Sequence, residues 1–172
     1  QATERNLIQS ESLSEQTTLG NKILSYPFGA ALYRPITNAV DTLLASLQNI
    51  FPDKALILDI WATWCGPCIN DMKSSKNTKK ELGDLPIEVI YLCAEDGSSE
   101  KQWKRTVAGL EITGTHIFLN KKLAKSVMKY FGVTAYPSHI YVNKDGAWDA
   151  NFIHSIANLN VHLLKKRLVQ EK

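Results

Sequence analysis

Cys65 and Cys68 stand two residues apart, separated by Gly66-Pro67 and preceded by Trp64. Two thiols three positions apart in the first turn of a helix share one face and can close a small disulfide ring. A thiol attacks a disulfide only as its thiolate, so the attacking cysteine needs a lowered pKa and access to solvent. Directly after a buried strand and at the start of a helix, Cys65 has both: unpaired N–H groups and the positive end of the helix dipole favour its charge. Its sulfur is expected at the exposed end of the loop, with Cys68 more buried. Cys65 would then attack and form a mixed disulfide, which Cys68 would displace. The same spacing is also half of a structural zinc site. The remaining candidate ligands, Cys93 and His116, His139, His154 and His162, show no ligand spacing. No metal, and no cofactor besides a Cys65–Cys68 disulfide, is therefore expected. Each histidine reads as an ordinary sheet or surface residue, and Cys93, in an apolar run, as a small buried hydrophobe.

Asp59 interrupts the apolar run Ala55-Leu56-Ile57-Leu58-Asp59-Ile60-Trp61, where desolvation penalises an ionised carboxylate. Strand alternation places Asp59, Trp61 and Thr63 on one face and Leu58, Ile60 and Ala62 on the other. A buried acid six residues before the nucleophile has the placement to relay the Cys68 proton during resolution. The alternative is an Asp satisfied by neighbouring backbone groups or water.

The elements that must position these groups follow from pattern. Ala55–Trp61 and Ile87–Cys93 are nearly unbroken apolar runs, as in strands buried on both faces of a parallel sheet. A polar helix runs from the cysteines to about Leu82, and Gly83-Asp84 turns the chain. Before them, Val40, Leu43, Leu44 and Leu47 lie on one face of a helix over 38–49, ended by Pro52-Asp53. Ser99-x-x-Gln102 is a capping box for a helix carrying Trp103, Val107 and Leu110. A short strand, 115–119, follows. Asn120 caps a helix burying Leu123, Val127, Tyr130 and Phe131. After Pro137, a strand over 138–143, a turn at Lys144-Asp145-Gly146 and a partner strand over 147–154 form a hairpin. The last helix buries Val161, Leu164 and Leu168. The order β-α-β-α-β-α-β-β-α predicts an α/β fold with a mixed central sheet flanked by helices.

With 172 residues, 44% apolar and 22% charged, the chain supports one globular domain with an extension. A net charge of +3 excludes a charge-driven nucleic-acid or membrane-surface role. Lys165-Lys166-Arg167 and the lysines from Lys73 to Lys80 read as solvated helix faces. No apolar stretch has the length of a bilayer span, and no signal-peptide pattern occurs. Residues 1–37, polar and without a clean helical stripe, are expected to be an extension or the remnant of a preceding domain, and 38–172 the domain proper. Because the chain begins at Gln1 rather than Met, the encoded N-terminus is expected to have been removed, which leaves room for a cleaved signal, a lipid anchor or a preceding domain.

Trp61-Ala62-Thr63-Trp64-Cys65-Gly66-Pro67-Cys68 resembles the thioredoxin superfamily, in particular its TlpA/ResA-like extracytoplasmic branch. Asp59 falls where thioredoxins carry their buried aspartate. Gly132-Val133-Thr134-Ala135-Tyr136-Pro137-Ser138 matches the family loop whose proline is cis and packs against the cysteine pair. The match covers about residues 38–172. One additional helix and strand, about 99–119, is typical of the TlpA-like branch and forms an α-β insertion before the cis-proline loop. Asp71 lies where that branch often has an acid, usually Glu; a helix-surface Asp explains it equally well. Two departures are visible: no proline soon after Cys68, and no glycine-marked hairpin before the first buried strand.

The resemblance implies a thiol–disulfide oxidoreductase. It makes Cys65, Cys68, Asp59 and Pro137 catalytic, with Trp64, Gly66, Pro67 and Tyr136 contacting substrate; the Tyr136 backbone would pair with an extended substrate segment. Gly-Pro is the thioredoxin dipeptide, and thioredoxin lies at roughly −270 mV against about −120 mV for a strong oxidant. A reductant of disulfides in partner proteins is therefore expected, periplasmic or otherwise extracytoplasmic, fed by a membrane thiol carrier. The competing readings are a thioredoxin-fold binding module with idle cysteines and a zinc-stabilised structural domain.

Overall fold

The run Ala55–Trp61 becomes the strand on which everything else is built. The computed structural model describes residues 15–172. All seven residues of β4 (Ala55–Trp61) are buried, flanked by β5 (Ile87–Ala94) in parallel and β7 (Ser138–Val142) antiparallel. Beyond β5 lies β6 (Gly114–Leu119), also parallel. Beyond β7 lies β8, only Trp148–Asp149. The returning strand expected over 147–154 is thus cut short. After Asp149 the chain turns away, and the Asp71 carboxylate ties residues 155–157 down as a loop.

The N-terminal segment corrects the expected division at residue 37. β1 (Glu15–Thr17), β2 (Gly20–Tyr26) and β3 (Ala30–Arg34) continue the sheet antiparallel to one another, and β3 pairs in parallel with β6. The glycine-marked hairpin judged missing is present: Gly29, at φ +97°, closes the β2–β3 turn by donating its N–H to the Tyr26 carbonyl at 3.0 Å. A register shift between Lys22 and Leu24 breaks the strand alternation, which is why no period of two shows in the sequence. What was expected of residues 1–14 lies outside the described residues. The full order is β1-β2-β3-β6-β5-β4-β7-β8. The added α-β unit thus places its strand between β5 and the N-terminal hairpin.

The helices cover both faces. α1 (Val40–Ile50) and α5 (Lys121–Phe131) pack on one side with Leu56, Leu58, Ile60 and Ile140. On the other, α2 (Gly66–Ser74), α3 (Lys76–Leu82), α4 (Glu100–Leu110) and α6 (Val161–Gln170) cover Ile57, Trp61, Tyr91 and Tyr141. The Ser99–Gln102 capping box and the Asn120 cap both form. The helix expected from the cysteines to Leu82 is two helices, joined at Ser75, whose hydroxyl donates to the Met72 carbonyl and so competes with helix continuation. Two of the basic residues assigned to solvated faces are only partly solvated. Lys79 is half-buried, 4.9 Å above the Tyr91 ring. Arg167 stacks 4.5 Å from the rings of both Tyr141 and Phe152, and pairs with Asp149 and Glu171.

Candidate active site

β4 delivers the chain to Cys65, and α2 begins one residue later. Cys65 is the N-cap of α2: the Cys68 N–H donates to Cys65 Sγ at 3.2 Å. Pro67 occupies the first turn, where its missing N–H leaves no bond unmade. Gly66 opens the helix with nothing within 4 Å of where a Cβ would stand. The two cysteines are joined, with an S–S distance of 2.08 Å and Cα atoms 5.3 Å apart. The expected contrast in exposure is absent: Cys65 is 3% and Cys68 1% accessible. The disulfide draws Cys65 Sγ inward to Cys68, and Tyr136 packs against the cluster that holds both. Cys93 is a free, buried thiol on the same face, and burial pushes its pKa far up.

Trp64 is 59% exposed. Its indole N–H donates to the Asp96 carbonyl, and its ring meets Tyr136 edge-on at 5.8 Å. Tyr136 donates its hydroxyl to the Asp96 carboxylate at 3.2 Å. Burial and that carboxylate push its pKa up to about 12. The Tyr136–Pro137 bond is cis. Gly97, at φ +69°, lies flat beneath Trp64; a Cβ there would stand 3.0 Å from the indole nitrogen. Ser98 accepts the Thr63 N–H at 2.9 Å and closes the rim. A cleft of about 520 Å³ opens beside Tyr136, floored by Ala124, Met128 and Val133 and edged by Glu95, Asp96 and Lys125.

Beneath the cysteines lies a buried polar group. Asp59 is 1% exposed, and burial pushes its pKa up to about 6. Opposite it in register on β7 is His139, whose Nε2 lies 3.6 Å from Asp59 Oδ1 and 3.3 Å from Asp71 Oδ2. Asp71 is not a solvated helix residue. Half-buried, it accepts bonds from the Ser155 hydroxyl and from the N–H groups of Ile156 and Ala157, at 3.0 and 3.1 Å. Burial works against its charge, but His139 and these donors hold its pKa down at about 2. Burial also opposes charge on the His139 ring, yet the Asp71 and Asp59 carboxylates outweigh it and raise its pKa.

Sequence reasoning singled out Trp64, Cys65, Cys68 and Tyr136, which come together at the start of α2, where Tyr136 meets Trp64 and packs on the cluster holding both cysteines. It also singled out Pro137, directly before β7, and Asp59, within β4. It missed His139, read as an ordinary sheet residue, and also Asp96, Gly97 and Ser98. Parity held the signal for His139: pairing the strand after Pro137 antiparallel to β4 puts it on the face of Asp59. The ligand atoms of Asp59, Asp71 and His139 lie within 4.8 Å of one another. These three are the described residues whose spacing would suit a cation. The Cys-based zinc site weighed from the sequence has no second pair of ligands near the disulfide among the described residues.

A helix-capping disulfide beside a cis-proline, on a mixed sheet with helices on both faces, defines a thioredoxin-fold protein of the thiol–disulfide oxidoreductase class. The Redoxin family model matches residues 35–155, and the chain belongs to that family. It is 26% identical to the thioredoxin-like protein YneN of Bacillus subtilis (strain 168) over 128 residues, 74% of this chain and 68% of that one. Its fold is similar to the thioredoxin domain of the thiol-disulfide oxidoreductase BVU-2223 from Bacteroides vulgatus. The TM-score is 0.60 at 19% identity, over 70% of this chain and 83% of that one. It is also similar to StoA from Bacillus subtilis, with a TM-score of 0.51 at 14% identity over 66% and 81% of the two chains. These likenesses agree with the thioredoxin-like fold described above.

Proposed function

We propose that the chain reduces disulfides in partner proteins, with Cys65 as nucleophile and Cys68 as resolving thiol. The observation that carries this reading is the Cys68 N–H aimed at Cys65 Sγ at 3.2 Å. In the reduced protein that donor, together with the helix dipole, would favour a thiolate on Cys65. The thiolate attacks one sulfur of the partner disulfide, and the partner's other sulfur leaves as a thiolate. Cys68 then gives its proton to Asp59 and attacks Cys65 Sγ. The mixed disulfide breaks, and two electrons have passed from the Cys65–Cys68 dithiol to the partner. Trp64, Gly66, Pro67 and the Tyr136–Pro137 loop would receive an extended segment of the partner, the Tyr136 backbone pairing with it as an added strand. No cofactor besides the cysteine pair is invoked. The direction, towards reduction, rests on the Gly-Pro dipeptide. Extracytoplasmic work and supply by a membrane thiol carrier rest on the resemblance. Among the described residues, no helix is long and apolar enough to cross a membrane.

Insulin reduction by dithiothreitol tests the reading. Wild type should accelerate it, Cys65→Ser should not, and Cys68→Ser should accumulate mixed disulfides. Equal turbidity curves for all three would leave a binding module whose cysteines do no exchange.

A further inference from the structure

One in-register row crosses the four central strands: His139 on β7, Asp59 on β4, Tyr91 on β5 and His116 on β6. All four are buried. Ionisable side chains at the centre of a sheet are costly unless they share charge or protons. The exchange reaction as proposed above uses only Asp59 and gives His139 no task. Yet His139, itself buried, lies between two carboxylates, 3.6 Å from Asp59 and 3.3 Å from Asp71.

The two acids differ in what else they have. Asp71 is held as an anion by the Ser155 hydroxyl and two backbone N–H groups. Asp59 Oδ1 is buried without a hydrogen-bond donor. Left to itself, such a carboxyl keeps its proton and cannot accept another. Among the described residues, positive charge within 4 Å of Asp59 comes from one place, the His139 ring. We propose that His139 is a positioning residue for exchange: as an imidazolium clamped between Asp71 and Asp59 on the face below the cysteine pair, it keeps Asp59 ionised and able to take the Cys68 proton. This rests on the function proposed above and adds the group that governs the base.

Every element packed around Asp59 contributes to its charge. His139 comes from β7 and Asp71 from α2, while Tyr91 and Cys93 come from β5. Lys79 comes from α3 and favours the Asp59 anion, while Glu88 of β5, paired with Lys54, acts on Lys79 through its charge. The Lys79 ammonium, however, donates to the Thr113 carbonyl at 2.7 Å and sits over the Tyr91 ring. It acts on Asp59 through its field alone, whereas His139 acts at contact. In the resolving step the Cys68 proton passes to Asp59, the Cys68 thiolate forms a bond to Cys65 Sγ as the Cys65–partner bond breaks with its electron pair on the partner sulfur, and Asp59 releases the proton to that sulfur or to solvent.

The test mixes reduced protein with an aryl disulfide that releases one coloured thiolate on attack by Cys65 and a second on resolution by Cys68. For His139→Asn, the pH midpoint of the second phase should rise by roughly one unit, slowing resolution about tenfold near pH 5, about twofold at pH 7 and little at alkaline pH. Asp71→Asn removes both the anion that holds the His139 charge and an anion that disfavours charge on Asp59, so it should move the midpoint by less than His139→Asn does. The first phase should change by less than about twofold in both variants, as a base serving Cys68 alone requires. A His139 that merely packs would leave the midpoint in place, and that result overturns the proposal. Should His139→Asn not fold, the imidazole nitrogens of reduced wild type, read by NMR near neutral pH, decide the matter. Both protonated supports the proposal, and a neutral ring overturns it. Failure of the exchange reading looks different: the first phase itself is missing, while the charge on the ring still judges this inference.

Discussion

The two faces of the central sheet are built from the same strands and do opposite things. Under α1 and α5 the buried side chains of β4, Leu56, Leu58 and Ile60, belong to an apolar cluster. One residue along, on the other face, the same strand presents Ile57, Asp59 and Trp61, and the neighbouring strands add Tyr91, Cys93, His116 and His139. Alternation in a strand thus separates the part that stabilises from the part that reacts by a single position. The dry face gains from burial without penalty. The other carries charge whose cost varies with pH, and the cysteine pair stands at its end.

The largest difference between the faces should appear on the dry side. Leu58→Ala removes a fully buried side chain from the apolar cluster and is expected to cost about 2–5 kcal/mol in chemical denaturation. Exchange by the folded fraction should stay near wild type. Asp59→Asn, its neighbour on the other face, should act the other way. The Asp59 carboxyl titrates at about 6 when folded, pushed up by burial, against about 3.9 when unfolded. Below the unfolded value the acid is neutral in both states. As the pH rises through 6, the folded protein must ionise a buried group, and wild type loses that margin. Asp59→Asn should therefore match wild type below about pH 4 and exceed it by up to about 3 kcal/mol near pH 8, while resolving mixed disulfides more slowly. A pH-independent difference in denaturation would contradict the ionisation of Asp59. The smallest effect belongs to the rim. Gly97→Ala strains a backbone at φ +69° and crowds the Trp64 indole. It should cost about 1 kcal/mol, shift Trp64 fluorescence and raise KM for a protein disulfide more than it lowers kcat.

How much of this was legible in the sequence follows the same division. The apolar runs of β4 and β5 and the stripe Val40, Leu43, Leu44 and Leu47 declared themselves, because burial on both faces or along a helix leaves a dense pattern. Cys65-Gly66-Pro67-Cys68 declared itself by spacing, and Asp59 by being polar where nothing polar belongs. The β2–β3 hairpin did not. Its strands are mostly half-buried, bulged at Lys22–Leu24, and secured to the sheet only through β6, some eighty residues on. His139 was invisible for a related reason: its partners are Asp59 and Asp71, distant in sequence, and no local pattern marks a residue whose meaning lies in the strand beside it. Asp71 was seen but underread, since its donors Ser155, Ile156 and Ala157 lie in a loop just past the strand expected over 147–154, far from Asp71 in sequence.

The most direct test of the whole account is the ionisation of Cys65 in reduced Cys68→Ser protein, followed by thiolate absorbance against pH. Cys93 is buried with its pKa pushed far up, so a single wave should belong to Cys65, with a midpoint well below the ordinary cysteine value of about 8.5. A midpoint at or above that value would mean that the first turn of α2 does not favour a thiolate, and the exchange chemistry assigned to this site would not stand.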